Sequence, residues 1–349
     1  MKRLSFRSWM SIITLVFIAV IVYFSRHELS TAWEMLGRVD LWVLALILPV
    51  AAIGYLAAGE MIFSYLRQKR LIDHVSIWTQ MRISMELNFV NHVLPSGGVS
   101  GISYVNWRLS KLGVRTGKAT MAQAVRYVAG FAAIVSLLFV AVIAVTIDGT
   151  VNRWIILMSS TLVFGLVAAT MIGAFLLRSK VRIDRFAVIA TRVCNAFVRR
   201  VTFGRFKRVV ADGVMHEFLN EMHEDFLGIM REKGLLLRPY LWGIFFTITE
   251  IAIFTIVFWA LGSPVNPAPI LIAYGLASVT GFLVVTPGGA GAYEATMVLV
   301  LAIAGMSNGE AIAGIVLTRA IILFVTIVGG YIFYQQALVK YGKRPDADI

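Results

Sequence analysis

The side chains of this sequence with the greatest capacity for chemistry stand beside two glycine-rich interruptions of otherwise apolar runs. The first interruption is Leu94-Pro-Ser-Gly-Gly-Val-Ser-Gly101, preceded by Glu86, Asn88 and Asn91. The second is Thr286-Pro-Gly-Gly-Ala-Gly-Ala-Tyr-Glu294, preceded by Glu250. Arg126 follows Pro95 by 31 residues and Arg319 follows Pro287 by 32. Proline with adjacent glycine ends a helix and leaves main-chain groups without intrahelical partners. At membrane depth such groups persist only where protein or water satisfies them. Pro95, Gly97, Gly98 and Gly101 in one break, and Pro287, Gly288, Gly289 and Gly291 in the other, thus mark turns whose free amides and helix N-terminal ends suit an anion. Glycine lets that anion approach the main chain closely. A phosphodiester fits such a place, and Arg126 and Arg319 would either neutralise it or form ion pairs with Glu86, Glu250 or Glu294. Glu250 or Glu294 could also carry a coupling proton or meet a cationic head group.

The polar residues before the first break divide by helical spacing. Arg82 and Glu86 share one face, read as an internal salt bridge, and Asn88 shares another with Asn91 and His92, read as a polar lining. His92 beside Pro95 reads as a capping or hydrogen-bonding residue, and Ser96 and Ser100 as partners for turn backbone. A nucleophile, base and orienting group drawn from Ser96 or Ser100, His92 and Glu86 is the competing enzymatic reading. His216-Glu217 and His223-Glu224 lack the His-Glu-x-x-His spacing and a third ligand, so no metal site is read there. No cofactor motif and no nucleotide-binding loop occurs, and the single cysteine, Cys194, forms no intramolecular disulfide.

The elements that must position these residues follow from composition. A chain of 349 residues that is 59% hydrophobic and only 15% charged, with mean hydropathy +0.81, reads as an all-α polytopic membrane protein. Its net charge of +13 sits in the loops, as expected for cytoplasmic loops rather than for nucleic-acid binding. Lys2, Arg3 and Arg7 precede the apolar run Trp9–Phe24 with no small-residue cleavage site after it, which reads as a retained first span starting in the cytoplasm. Span two is read at Leu41–Tyr65, three at Ala119–Ile147, four at Trp154–Leu177, five at Pro239–Leu261 and the last at Ala311–Tyr334. The segment 75–107 has basic residues at both ends, so it is read as a re-entrant hairpin with its tip at the first break. The segment 268–305 is read as a second hairpin, or as two full spans, around the second break. The expectation is about six spans plus two re-entrant or broken hairpins, with both termini cytoplasmic in a bacterial inner membrane.

Residues 1–150 and 151–340, followed by a tail at 341–349, then read as two repeats of opposite orientation. Glu60 precedes Pro95 by 35 residues and Glu250 precedes Pro287 by 37, so each half carries Glu, Pro-Gly-Gly or Pro-Ser-Gly-Gly, and Arg at similar offsets. Inverted repeats place a substrate site at their interface. Between the repeats, 178–238 is strongly basic. There Phe186, Ile189, Val193 and Phe197 alternate with Arg185, Arg192 and Arg199 in the pattern of an amphipathic helix. The part at 178–208 would lie on the anionic inner leaflet, or dock a partner such as a lipid-modifying enzyme.

These motifs carry a resemblance. Asn88 and Asn91 ahead of Leu94-Pro95, the Gly97-Gly98-x-x-Gly101 turn, Pro287-Gly-Gly-x-Gly-x-x-Glu294 and the arginine of the last span together resemble the lysylphosphatidylglycerol-synthase transmembrane family, over nearly the whole chain. That family includes the flippase half of bacterial multiple peptide resistance factors. The resemblance implies movement of a phosphate-bearing lipid (phospholipid, aminoacyl-phospholipid or polyprenyl-linked) between leaflets, with membrane lipids as partners. Two departures stand out: Val125-Arg126 where family members often have Glu-Arg, and no aminoacyl transferase domain before Ile349. Lysyl transfer is therefore not implied.

Overall fold

The computed structural model describes residues 37, 39–94, 99–147, 153–201, 220, 223–224, 226–228, 230–231, 234–283 and 291–341. Among them every regular element is a helix. In chain order these are α1 (Leu41–Ala45), α2 (Ile47–Gln68), α3 (Ile77–Val93), α4 (Val99–Ser110), α5 (Thr116–Ile147), α6 (Arg153–Leu177), α7 (Lys180–Val201), α8 (Gly234–Ala260), α9 (Pro267–Leu283), α10 (Ala292–Ile303) and α11 (Asn308–Tyr341). The expected first span, Pro95, Ser96, Gly97, Gly98, Pro287, Gly288, Gly289, His216-Glu217, residues 202–208 and the tail after Tyr341 lie outside the described residues.

Four stretches, Leu41–Gln68, Thr116–Ile143, Gly234–Ala260 and Asn308–Tyr341, are long and apolar enough to cross a bilayer. A fifth is added if Val163–Leu177 and Lys180–Ile189, which meet at 107°, form one bent span. The chain is an integral membrane protein. Its outward apolar side chains, such as Phe139, Phe164 and Phe324, are then lipid-facing. Asp40 starts the first crossing helix by accepting hydrogen bonds from the Trp42 and Val43 amides at 2.9 and 3.3 Å. Its own amide donates to the Ala260 carbonyl at the end of α8. Exposed Trp42 and Trp259 stand at that end of the bundle and exposed Trp78 at the other, in the manner of an interfacial aromatic belt.

Shorter helices sit between the crossing ones. α3 and α9 have 17 residues each, about 25 Å at 1.5 Å per residue, and α4 and α10 have 12 each, about 18 Å. α3 folds back on α4, and α9 on α10. Neither pair is left to lipid. Ile62, Leu66, Leu87, Leu109 and Val125 bury the first against α2 and α5, and Phe254, Phe258, Met297, Leu301 and Ile315 bury the second against α8 and α11. At the centre α2 runs along α8; α3 packs on α11, and α9 packs on α5.

Glycine permits the α3–α11 contact. A Cβ added at Gly330 would lie 2.4 Å from Phe89 Cβ and 3.0 Å from the Met85 carbonyl oxygen, and the carbonyl cannot swing aside. Small residues at crossings are how membrane helices approach closely. Gly330→Ala is accordingly expected to destabilise the protein by about 1–3 kcal/mol through overpacking. Thermal unfolding of the purified protein in detergent checks this, and an unchanged midpoint would show that the crossing is loosely packed.

Candidate functional site

The bundle encloses a cavity of about 130 Å³ between α2, α3, α8, α10 and α11. Its polar lining consists of Tyr55, Asn88, His92, Glu250, Arg319 and Thr326, set among apolar side chains. Tyr55, Glu250, Arg319 and Thr326 come from apolar helices of span length, where lipid offers a polar group no partner, so they face inward. The Tyr55 hydroxyl and Thr326 Oγ1 are 2.8 Å apart and tie α2 to α11 along one wall. His92 Nδ1 lies 2.8 Å from the Asn88 carbonyl, and Asn88 Nδ2 donates to the Ser84 carbonyl at 3.0 Å. This is the hydrogen-bonding role expected of His92.

The second break joins the last span through one carboxylate. Arg319 Nε donates to Glu294 Oε1 at 2.6 Å, and Glu294 Oε2 accepts the Gly291 amide at 2.7 Å. Gly291 has φ +89°, a left-handed conformation that side-chain-bearing residues rarely adopt, and α10 begins at the next residue. The Arg319 guanidinium also lies 4.6 Å from the centre of the Tyr293 ring, and Tyr293 is a further wall of the cavity. Both members of the pair are about one-fifth exposed (19% each), so neither is sealed in the core. Of the pairings considered for Arg319, the one with Glu294 is formed.

Glu250 lines the same cavity and makes no ion pair with a described residue. It lies in the field of Arg319, and close to Tyr274 and Tyr293, whose rings meet edge to face at 6.5 Å. Glu60, its counterpart by spacing, is instead paired with Arg67 and plays no part in the cavity. Arg126 stands apart too. Its guanidinium lies 5.8 Å from the Tyr127 ring centre and near Tyr274, and it pairs with none of the described carboxylates, so of the two readings of Arg126 the ion pair with Glu86, Glu250 or Glu294 is not formed among the described residues.

Glu86 corrects another expectation. Its partner is not Arg82 on the same helix but Arg108 on α4, whose Nε donates to Glu86 Oε2 at 2.7 Å. The Tyr104 hydroxyl donates to the same oxygen at 2.9 Å. Arg82 turns to Gln336 and lies 4.9 Å from the Phe333 ring centre. The back-folded α4 supplies Glu86 with two buried donors, which outweighs a solvent-side contact one helical turn away. Glu86 therefore clamps the first hairpin and does not reach His92, whose Nδ1 is engaged by Asn88. Asn91 also leaves the lining: its Oδ1 sits 2.0 Å from where a Cβ of Gly101 would be. Gly101 thus serves close packing of α4 on α3 rather than approach of an anion.

Among the described basic residues, Arg185 and Arg192 are exposed on α7 together with Phe186 and Ile189, while Ile183 and Ala187 are buried. Arg182 stacks on Phe175 at 3.5 Å from the ring centre, at the 107° bend where α6 gives way to α7. His223 reaches the same corner, its Nδ1 lying 2.6 Å from the Leu177 carbonyl.

Sequence reasoning missed Tyr55, Thr326 and Tyr293 as lining residues, because lone Tyr and Thr within apolar helices are usual core residues. Tyr293 carried one available signal, adjacency to Glu294 at the end of the second break. No curated protein and no solved structure matched the chain. A family model described as lysylphosphatidylglycerol synthase TM region matches residues 11–330, which include the whole cavity. The chain belongs to the lysylphosphatidylglycerol synthase transmembrane-region family.

Proposed function

We propose that this protein moves a phosphate-bearing lipid between leaflets, its head group passing through the central cavity while the acyl chains stay in the bilayer. The observation that carries this reading is a cavity in the membrane-spanning bundle whose only described cation, Arg319, is one-fifth exposed and held by Glu294 at the second glycine break. An arginine so placed can release a carboxylate for a phosphate with little rearrangement, since both offer paired oxygens to the guanidinium fork. Family membership supports a role in membrane lipid handling.

The two-repeat architecture belongs to the same proposal. α2 to α5 correspond to α8 to α11 with opposite orientation, giving six spans with the first at Trp9–Phe24, and with repeats at 1–150 and 151–340. Support comes from the equal arm lengths of the hairpins and from matching contacts: α3 with α11 mirrors α9 with α5, and α4 with α5 mirrors α10 with α11. Rocking of the halves would expose the cavity to either face in turn. The same reading places both termini in the cytoplasm of a bacterial inner membrane, and α7 on its anionic leaflet with Arg185 and Arg192 toward the head groups. Docking of a lipid-modifying enzyme on that helix is the alternative use of its basic face.

The test is reconstitution in liposomes carrying fluorescent phospholipids, with a membrane-impermeant reductant added outside. Translocation predicts bleaching well beyond the outer leaflet, compared with empty vesicles. Bleaching confined to that leaflet, across anionic, zwitterionic and aminoacylated lipids, would reject the proposal. Glu250→Gln adds a sharper expectation. Since Glu250 holds no ion pair with a described residue, the variant should unfold within about 1 kcal/mol of wild type. If Glu250 carries a coupling proton, the variant loses the pH dependence of translocation, and an unchanged pH profile would remove it from that role.

A further inference from the structure

We propose a second anion site, separate from the central cavity, at the basic end of the bundle, where Arg82, Arg108 and Lys340 converge to bind a phosphate group. This inference does not rest on lipid translocation. α3, α4 and the last turn of α11 enclose a pocket of about 300 Å³ there, lined by these three cations with Glu86, Gln336 and Tyr341. Three positive side chains face one negative one, and Glu86 is already engaged by Arg108 and Tyr104. Among the described residues no second carboxylate lines the pocket. Like charges gathered in a partly desolvated space repel strongly unless an anion joins them.

The donors are in place. Arg108 is 96% buried (4% exposed), and while its Nε and Nη2 hold Glu86, its Nη1 is buried with no hydrogen-bond partner among the described residues. Arg82 donates through Nη2 to Gln336, leaving a buried Nε equally without a partner among the described residues. Tyr341 holds the cations together through its ring, 4.7 Å from Arg108 Cζ and 5.3 Å from Lys340 Nζ. Two guanidinium groups and an ammonium around one space make a receptor for the tetrahedral oxygens of phosphate, and a buried donor without a partner is an expensive feature unless a ligand uses it. The proposed topology places the pocket at the cytoplasmic face. A phosphomonoester head group and free phosphate share the required chemistry.

Thermal unfolding of the full chain in nanodiscs separates these sources. One arm titrates inorganic phosphate into phosphatidylcholine nanodiscs, against chloride at equal ionic strength; the other replaces part of the phosphatidylcholine with phosphatidic acid. Stabilisation by inorganic phosphate identifies a soluble anion, and stabilisation by phosphatidic acid alone identifies a lipid head group. Lys340→Gln and Arg82→Gln break no ion pair among the described residues, so both variants should fold, and each should weaken the response roughly tenfold through loss of one charge-assisted donor. Arg319→Ala, in the other cavity, should respond like wild type. The proposal is overturned if neither probe stabilises the protein, if Lys340→Gln and Arg82→Gln respond like wild type, or if Arg319→Ala abolishes the response.

Discussion

Arg319→Ala is expected to slow lipid translocation by roughly 100-fold in reconstituted vesicles while leaving the protein inserted and folded. The magnitude follows from removing a charge-assisted donor to the lipid phosphate, about 2–5 kcal/mol where such a contact is desolvated; the partial exposure of Arg319 places it toward the lower end. Two roles for Arg319 give opposite results in a double variant. If it only pairs with Glu294, removing both partners eliminates the stranded charge, and Arg319→Ala with Glu294→Gln should recover most of the lost rate. If it meets the lipid phosphate, the double variant stays as slow as Arg319→Ala. We expect the second result. Glu294→Gln alone should be milder, about tenfold, because glutamine keeps an oxygen for the Gly291 amide that starts α10.

Glu86→Ala is expected to have the largest effect on stability, a loss of about 3–5 kcal/mol. Glu86 is fully buried and Arg108 nearly so; without the carboxylate, the guanidinium and the Tyr104 hydroxyl both lose their shared acceptor. The hairpin of α3 and α4 should then open before the rest of the bundle, which places His92 and Asn88 at risk as well. Denaturant unfolding in mixed micelles measures the loss. A change below about 1 kcal/mol would mean that water already reaches the pair and that the hairpin is held by its apolar contacts alone.

Much of the scaffold was legible because membrane solvation leaves few options. Apolar runs of span length had to become helices, and two glycine-proline breaks had to be sheltered by protein. That logic placed α2, α5, α8 and α11, and it joined Glu294 and Arg319 to one site. It failed where tertiary contact chose among equivalent local options. Helical spacing offered Arg82 as the partner of Glu86, but the return of α4 brought Arg108 closer; it put Asn88, Asn91 and His92 on one face, but Gly101 drew Asn91 into the hairpin interface. Arg126 looked equivalent to Arg319 by offset, yet the structure brings no described carboxylate to it. Nothing in the spacing of Arg82, Arg108 and Lys340 revealed that they share a pocket.

The central claim is that lipid head groups cross through the cavity beside Arg319, and plugging that cavity tests it most directly. Ile322 lies on the cavity wall one helical turn from Arg319, and Cys194 is the single native cysteine, so Ile322→Cys in a Cys194→Ser background carries one thiol in the path. The measurement is the rate of reductant bleaching in proteoliposomes before and after reaction with a small methanethiosulfonate reagent. Translocation should fall to the level of empty vesicles in the Ile322→Cys protein and stay unchanged in the Cys194→Ser parent. Undiminished bleaching after complete labelling of Ile322→Cys would contradict the account, because lipid would then be crossing by another route.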